Sequence, residues 1–190
     1  MKKKGLFIGI GAVVLVIVLV IGGLVGTYNE LIDKQANVEN ADAQIQTQLQ
    51  RRADLIPNLV NTVKGYASHE TEVYTALADA RAKLNSASNA EEYTEALESY
   101  DSAISRLLVV VENYPELKAN QNFIYLQDEL SGTENRIGIA RKDYNDTATE
   151  YNKSIKKFPI VIFAGILGFE KAELFEASDS AQNAPVVDFE

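Results

Sequence analysis

The sequence predicts an all-α protein: an N-terminal transmembrane helix followed by a long antiparallel, up-down four-helix bundle with coiled-coil-like packing. Three observations carry this expectation. Residues Leu6–Val25 contain only apolar side chains and glycine. Apolar residues then recur at spacings of three, four and seven through most of the remaining chain. Glycine and proline are few, 11 and 4 among 190 residues, so long helices meet few breaks.

At about 1.5 Å rise per residue, twenty helical residues cover roughly the 30 Å of a bilayer's hydrocarbon. Lys2, Lys3 and Lys4 precede the run, and no comparable basic excess follows it. That asymmetry places the N-terminus in the cytoplasm and the rest of the chain outside it. A cleaved signal peptide is the alternative. Its apolar core would be shorter, and a small-residue cleavage site would follow it. Residues 1–27 are therefore read as an uncleaved signal anchor. Gly5/Gly9 and Gly22/Gly26 are each four apart, a spacing that lets membrane helices pack closely against a second copy.

Residues 28–157 are predicted to form the bundle. Leu31, Val38, Ile45, Leu49, Ile56, Leu59, Val63 and Tyr66 mark the stripe of its first helix. Pro57 interrupts the hydrogen-bond ladder of that helix and predicts a kink, with Asn58 and Asn61 beside it to serve the freed backbone groups. The alternative is that Pro57 opens a fresh helix. The stretch Gly65–Glu70 ends the first helix, and Ser68 is placed to cap a second one running to about Leu84. Ser88 or Asn89 caps a third, which carries Tyr93, Leu97, Tyr100, Ile104, Leu107, Leu108 and Val111. Pro115 starts a fourth, whose stripe is the most regular: Phe123, Leu130, Ile137, Tyr144, Tyr151 and Phe158 are each seven apart. Gly132 and Gly138 within it suggest close helix contact.

An antiparallel fourth helix as long as the first returns the chain to the membrane surface. The segment that follows, residues 158–170, holds Phe158, Ile160, Val161, Ile162, Phe163, Ile166, Leu167 and Phe169. It is too short to span a bilayer, so it either seats in the membrane interface, the preferred reading, or plugs the bundle end. Residues 171–190 form an acidic tail read as partly flexible, with Val186, Val187 and Phe189 able to dock as a short extended piece.

Composition narrows the function. The net charge is −9, and setting aside the three leading lysines deepens it to −12, so nucleic acid is not an expected partner. There is no cysteine and only one histidine, His69, which sits in a polar turn. Zinc–thiolate sites and paired E-x-x-H di-iron motifs are thereby excluded, and no nucleotide-binding or serine-hydrolase motif occurs. No catalytic, cofactor-binding or metal-binding residue is predicted. The polar residues that stand out are Arg51, Arg52 and Asp54 beside Pro57 and Asn58, and Glu134, Arg136 and Arg141 on the fourth helix. They read as interhelical ion pairs that set register or, alternatively, as a patch for a partner protein.

RRADLIPNLVNTVKGYASHE (Arg51–Glu70), YPELKANQNFIYLQDEL (Tyr114–Leu130), TENRIGIARKDYND (Thr133–Asp146) and YNKSIKKFP (Tyr151–Pro159) closely resemble the bacterial LemA family. YNELI (Tyr28–Ile32) and the terminal PVVDF fit its pattern too. The resemblance implies an N-terminal anchor, a long antiparallel bundle in the bacterial cell envelope, and an accessory role without established catalytic residues or cofactor. The expected function is a non-enzymatic protein of the cell membrane that self-assembles as a scaffold, with the lipid bilayer and further copies of itself as partners. The alternative is an adaptor or sensor that recruits a membrane protease or another envelope protein.

Overall fold

A computed structural model describes the backbone of residues 2–176. It also describes the side chains in that range, except those of residues 2–10, 12, 13, 16 and 20. Every regular element among the described residues is helical. The helices are α1 (Lys2–Lys64), α2 (Thr71–Ser86), α3 (Ala90–Glu112), α4 (Pro115–Lys118) and α5 (Gln121–Lys156), followed by a single 3-10 turn at Ile160–Ile162. The chain divides into two compact units. One is built from the chain up to Asn40 together with Thr147–Ala172, the other from Ala41–Asp146 together with the residues from Glu173 onward.

The predicted stripes become the core. On α1, Leu31, Val38, Ile45, Leu49, Ile56, Leu59 and Val63 are all buried. Tyr66 lies beyond the helix end and is exposed. α1 runs through Pro57 without interruption, so Pro57 does not open a fresh helix. On α3, Tyr93, Leu97, Tyr100, Leu107 and Val111 are buried, whereas Leu108 faces outward. On α5 the heptad residues from Phe123 to Tyr151 are buried, and Phe158, two residues past the helix, is exposed.

Within the second unit the pairings give an up-down order. Arg81 meets Asp54 and Lys64 lies over the Tyr74 ring, so α2 runs antiparallel to α1. Arg51 meets Glu129 and Asn120 meets Tyr66, so α5 is antiparallel to α1 as well.

Three local expectations are corrected. The fourth helix is two: Pro115 opens only the single turn α4, and α5 starts afresh at Gln121 because Asn120 accepts from the backbone N–H groups of Asn122 and Phe123 at 2.9 and 3.2 Å. Ser68 does not cap α2. Ala67 is buried, bonded to the Val63 carbonyl and to the Tyr74 hydroxyl, which holds the turn closed and moves the helix start to Thr71. Gly132 and Gly138 do not mark close helix approach. Among the described residues a Cβ at Gly132 would meet only the Arg136 guanidinium at the far end of its side chain, and one at Gly138 would meet nothing within 4 Å. The cap of α3 falls on Asn89, which accepts from the Glu92 N–H at 2.9 Å, while the Glu92 carboxylate accepts from the Ser88 N–H at 2.8 Å. This reciprocal arrangement serves two backbone donors at once.

Among the described residues no helix is long and apolar enough to cross a membrane. Part of Leu6–Val25 and the spacing Gly5/Gly9 lie outside the described side chains, as do Val186, Val187 and Phe189.

Candidate functional site

The first unit carries an apolar surface. After α5 the chain passes through Phe158 and Pro159 into the 3-10 turn and a further turn that ends at Gly168, whose φ of +83° suits a residue without Cβ. Only part of this segment turns inward. Ala164 and Phe169 are buried, and the Phe169 ring meets Tyr28 edge-on at 5.5 Å between centroids. Phe158 and Ile166 are 81% and 84% exposed, and Val161, Ile162, Phe163 and Leu167 are exposed as well. Together these side chains form a concentrated patch of exposed apolar surface. Beside it lies a pocket of about 310 Å³ whose walls include Leu24, Val25, Tyr28, Ile160, Phe163 and Leu167. Leu24 and Val25 are the last two residues of the long apolar run, and both are exposed. Gly22 and Gly26 have no atom within 4 Å of where a Cβ would stand, which leaves the small-residue face of that helix uncovered.

Lys34 closes the polar side of this unit. Its ammonium donates to Glu150 at 2.9 Å and to Ser154 at 3.0 Å, and Glu30 lies 3.3 Å away. The bond to Glu150 raises the Lys34 pKa, and the same contact holds the Glu150 carboxyl below the usual range.

The polar residues singled out in the sequence belong to the second unit and do not gather into one site. Arg51 and Arg136 share Glu129, at 2.8 and 3.7 Å. Asp54 accepts from Gln50 and pairs with Arg81. The Asn58 carbonyl accepts from the Thr62 hydroxyl, one turn on. Arg52 points the other way, only 4% exposed, with its guanidinium 2.6 Å from Asp101 and 4.3 Å above the Tyr100 ring. Among the described residues the Arg52 Nε and the Tyr100 hydroxyl have no hydrogen-bond partner. Burial pushes the Tyr100 phenol up to about 12, although Arg52 pulls the other way, and burial likewise raises Asp101. Glu134 stands near enough to Asp101 to add to that rise, and both line a groove of about 370 Å³ beside Arg52. Among the described residues no group of three or more His, Cys, Asp or Glu side chains is arranged to hold a metal ion.

Sequence reasoning missed Asn145 and Asn152, and missed that Tyr144 and Arg141 join them in holding the tail. In the first unit the Asn152 amide brackets Ala172, donating to its carbonyl at 2.8 Å and accepting from its N–H at 2.9 Å. In the second unit Asn145 does the same to Phe175, at 2.9 Å both ways. There Tyr144 donates to the Glu173 carbonyl, and Arg141 donates to the Glu176 carbonyl and covers the Phe175 ring at 5.0 Å. Phe175 stacks on Tyr93 and meets Tyr144 edge-on. The signal was present as Tyr-Asn at 144–145 and again seven residues later at 151–152.

Comparison with known proteins shows the family to which the sequence is similar. Residues 41–189 match the sequence model of the LemA family. Protein LemA of Metamycoplasma hominis is 30% identical over 156 residues, covering 82% of this chain and 71% of that protein. Magnetosome protein MamQ 2 of Paramagnetospirillum magneticum is 26% identical over 200 residues, covering 92% and 73%. Magnetosome protein MamQ of Magnetospirillum gryphiswaldense is 24% identical over the same length, with the same coverage.

Proposed function

Because the chain belongs to the LemA family, we propose that it is a non-enzymatic, single-pass membrane protein that self-assembles as a scaffold or organiser of the bacterial cell envelope. The observation that carries this reading is the exposed apolar surface of Phe158, Val161, Ile162 and Ile166 in the same unit as the end of the Leu6–Val25 run. Water meets such a surface at a cost of about 25 cal/mol for each Å². A bilayer interface or a second copy removes that cost. The run supplies the anchor by its length and its lack of any charged side chain. Lys2–Lys4 hold its N-terminal end in the cytoplasm and leave the bundle outside. The uncovered Gly22/Gly26 face gives a second route to self-association.

The test is the particle mass of the full-length protein, gently extracted from membrane. It is measured beside a variant in which Phe158, Val161 and Ile166, all exposed, are changed to serine. A large assembly that collapses in the variant is the expected result. A monomer in both removes the scaffold reading and leaves an adaptor that captures another envelope protein.

A further inference from the structure

The pocket of the first unit selects its occupant by chemistry. At about 310 Å³ it is at the small end of ligand-binding cavities. Among the described residues no charged one lines it. The Thr27 hydroxyl on its wall already donates to the Gly23 carbonyl at 3.0 Å. A polar ligand entering would surrender its water and find little in return. A hydrocarbon loses nothing of the kind.

Position narrows the choice further. Leu24 and Val25 belong both to the pocket wall and to the end of the apolar run. A run that spans the bilayer puts this wall at the margin of the acyl chains, where hydrocarbon is the surrounding solvent. Lys156 and Lys157 are exposed just ahead of the segment that forms the other wall, and the Lys157 carbonyl is bonded to the Val161 N–H at 2.9 Å. They offer cations to a phosphate held outside an apolar pocket. We infer that this pocket takes one acyl chain of a bilayer phospholipid, with its headgroup phosphate outside, at Lys156 and Lys157. The inference rests on the membrane-anchor reading above.

The chain contains no tryptophan, so a single introduced one reports alone. Full-length Val18→Trp and Leu167→Trp variants are reconstituted into phosphatidylcholine vesicles that carry lipid brominated midway along its acyl chains, then diluted into lipid-free detergent. Val18 lies in the run and Leu167 on the pocket wall. Both reporters should be quenched at least twofold in vesicles. On dilution Val18→Trp should recover. Leu167→Trp should stay quenched, with about one brominated lipid retained per chain. Adding Ile166→Glu to the Leu167→Trp variant should abolish the retained quenching. Ile166 lines the pocket and is 84% exposed, so this charge leaves the core untouched. Quenching of Val18→Trp with Leu167→Trp unquenched, or recovering equally on dilution, overturns the acyl-chain site and spares the anchor. Leu167→Trp shielded from lipid and crosslinked between copies overturns it in favour of a second chain. An unquenched Val18→Trp in vesicles overturns the anchor and the inference together.

Discussion

Replacing Phe175 with alanine should release the tail rather than damage the core, and the structure gives the size of the effect. Glu173–Glu176 is held in the second unit by four hydrogen bonds, from Tyr144, to and from Asn145, and from Arg141. At about 1 kcal/mol net each these contribute about 4 kcal/mol. Phe175 is 7% exposed, and its burial adds about 2 kcal/mol. Its two ring pairs add about 2 kcal/mol more, and the Arg141 contact about 0.5 kcal/mol. Ordering four residues costs about 6 kcal/mol. The net docking energy is therefore about 2.5 kcal/mol. Removing the ring takes away roughly 4 kcal/mol of burial and ring contact, which exceeds that balance. The strap should detach, and the measured loss should stop at about 2.5 kcal/mol, below the roughly 3–5 kcal/mol typical of a core Phe→Ala. Hydrogen exchange is the assay. The Phe175 amide, bonded to Asn145 in the native chain, should exchange at the rate of an unfolded peptide, while the amides of α3 and α5 stay protected. A loss of 4 kcal/mol or more, with the strap amides still protected until global unfolding, would refute the reasoning. It would show that the tail is a cooperative part of the core.

Two further outcomes test the interior. Tyr100 ionises at about 12 in the folded chain against about 10 when unfolded, so the folded state keeps its proton longer. Its contribution is fully present below pH 10 and is lost as the pH rises toward 12, up to about 3 kcal/mol at 1.36 kcal/mol per unit. Tyr100→Phe should lack that alkaline decline in a denaturant titration run beside the native chain, and the ultraviolet phenolate titration should lose a late-ionising group. Asn89→Ala removes the cap of α3 and should cost about 1 kcal/mol by thermal unfolding, while Asn89→Asp should retain most of it.

The helices were legible in the sequence because their signal is periodic. A residue buried every seven positions on α5 is buried for the same reason each time, and only Phe158, past the helix end, departs from it. The break between α4 and α5 was not legible, because the apolar spacing begins at Phe123 and gives no weight to Asn120, whose side chain caps the start of α5. Arg51 and Arg52 looked like one patch. Adjacent helical residues differ by about 100°, which turns Arg51 to the half-buried Glu129 carboxylate and Arg52 onto Tyr100. Asn145 and Asn152 are harder to read as clamps, because each holds backbone and the repeated Tyr-Asn pair is their one mark in the side-chain pattern.

The strap also bears on how the chain is made. The seat of Phe175 is assembled from Tyr93 on α3 and from Tyr144, Asn145 and Arg141 on α5, all of which leave the ribosome earlier. Until residue 175 emerges, two aromatic faces and an asparagine amide stand open on a bundle otherwise able to close. During that interval the nascent chain presents a ready-made acceptor for any extended segment carrying an aromatic residue. Its own next residues have the advantage there, because the tether holds them at high effective concentration beside the acceptor.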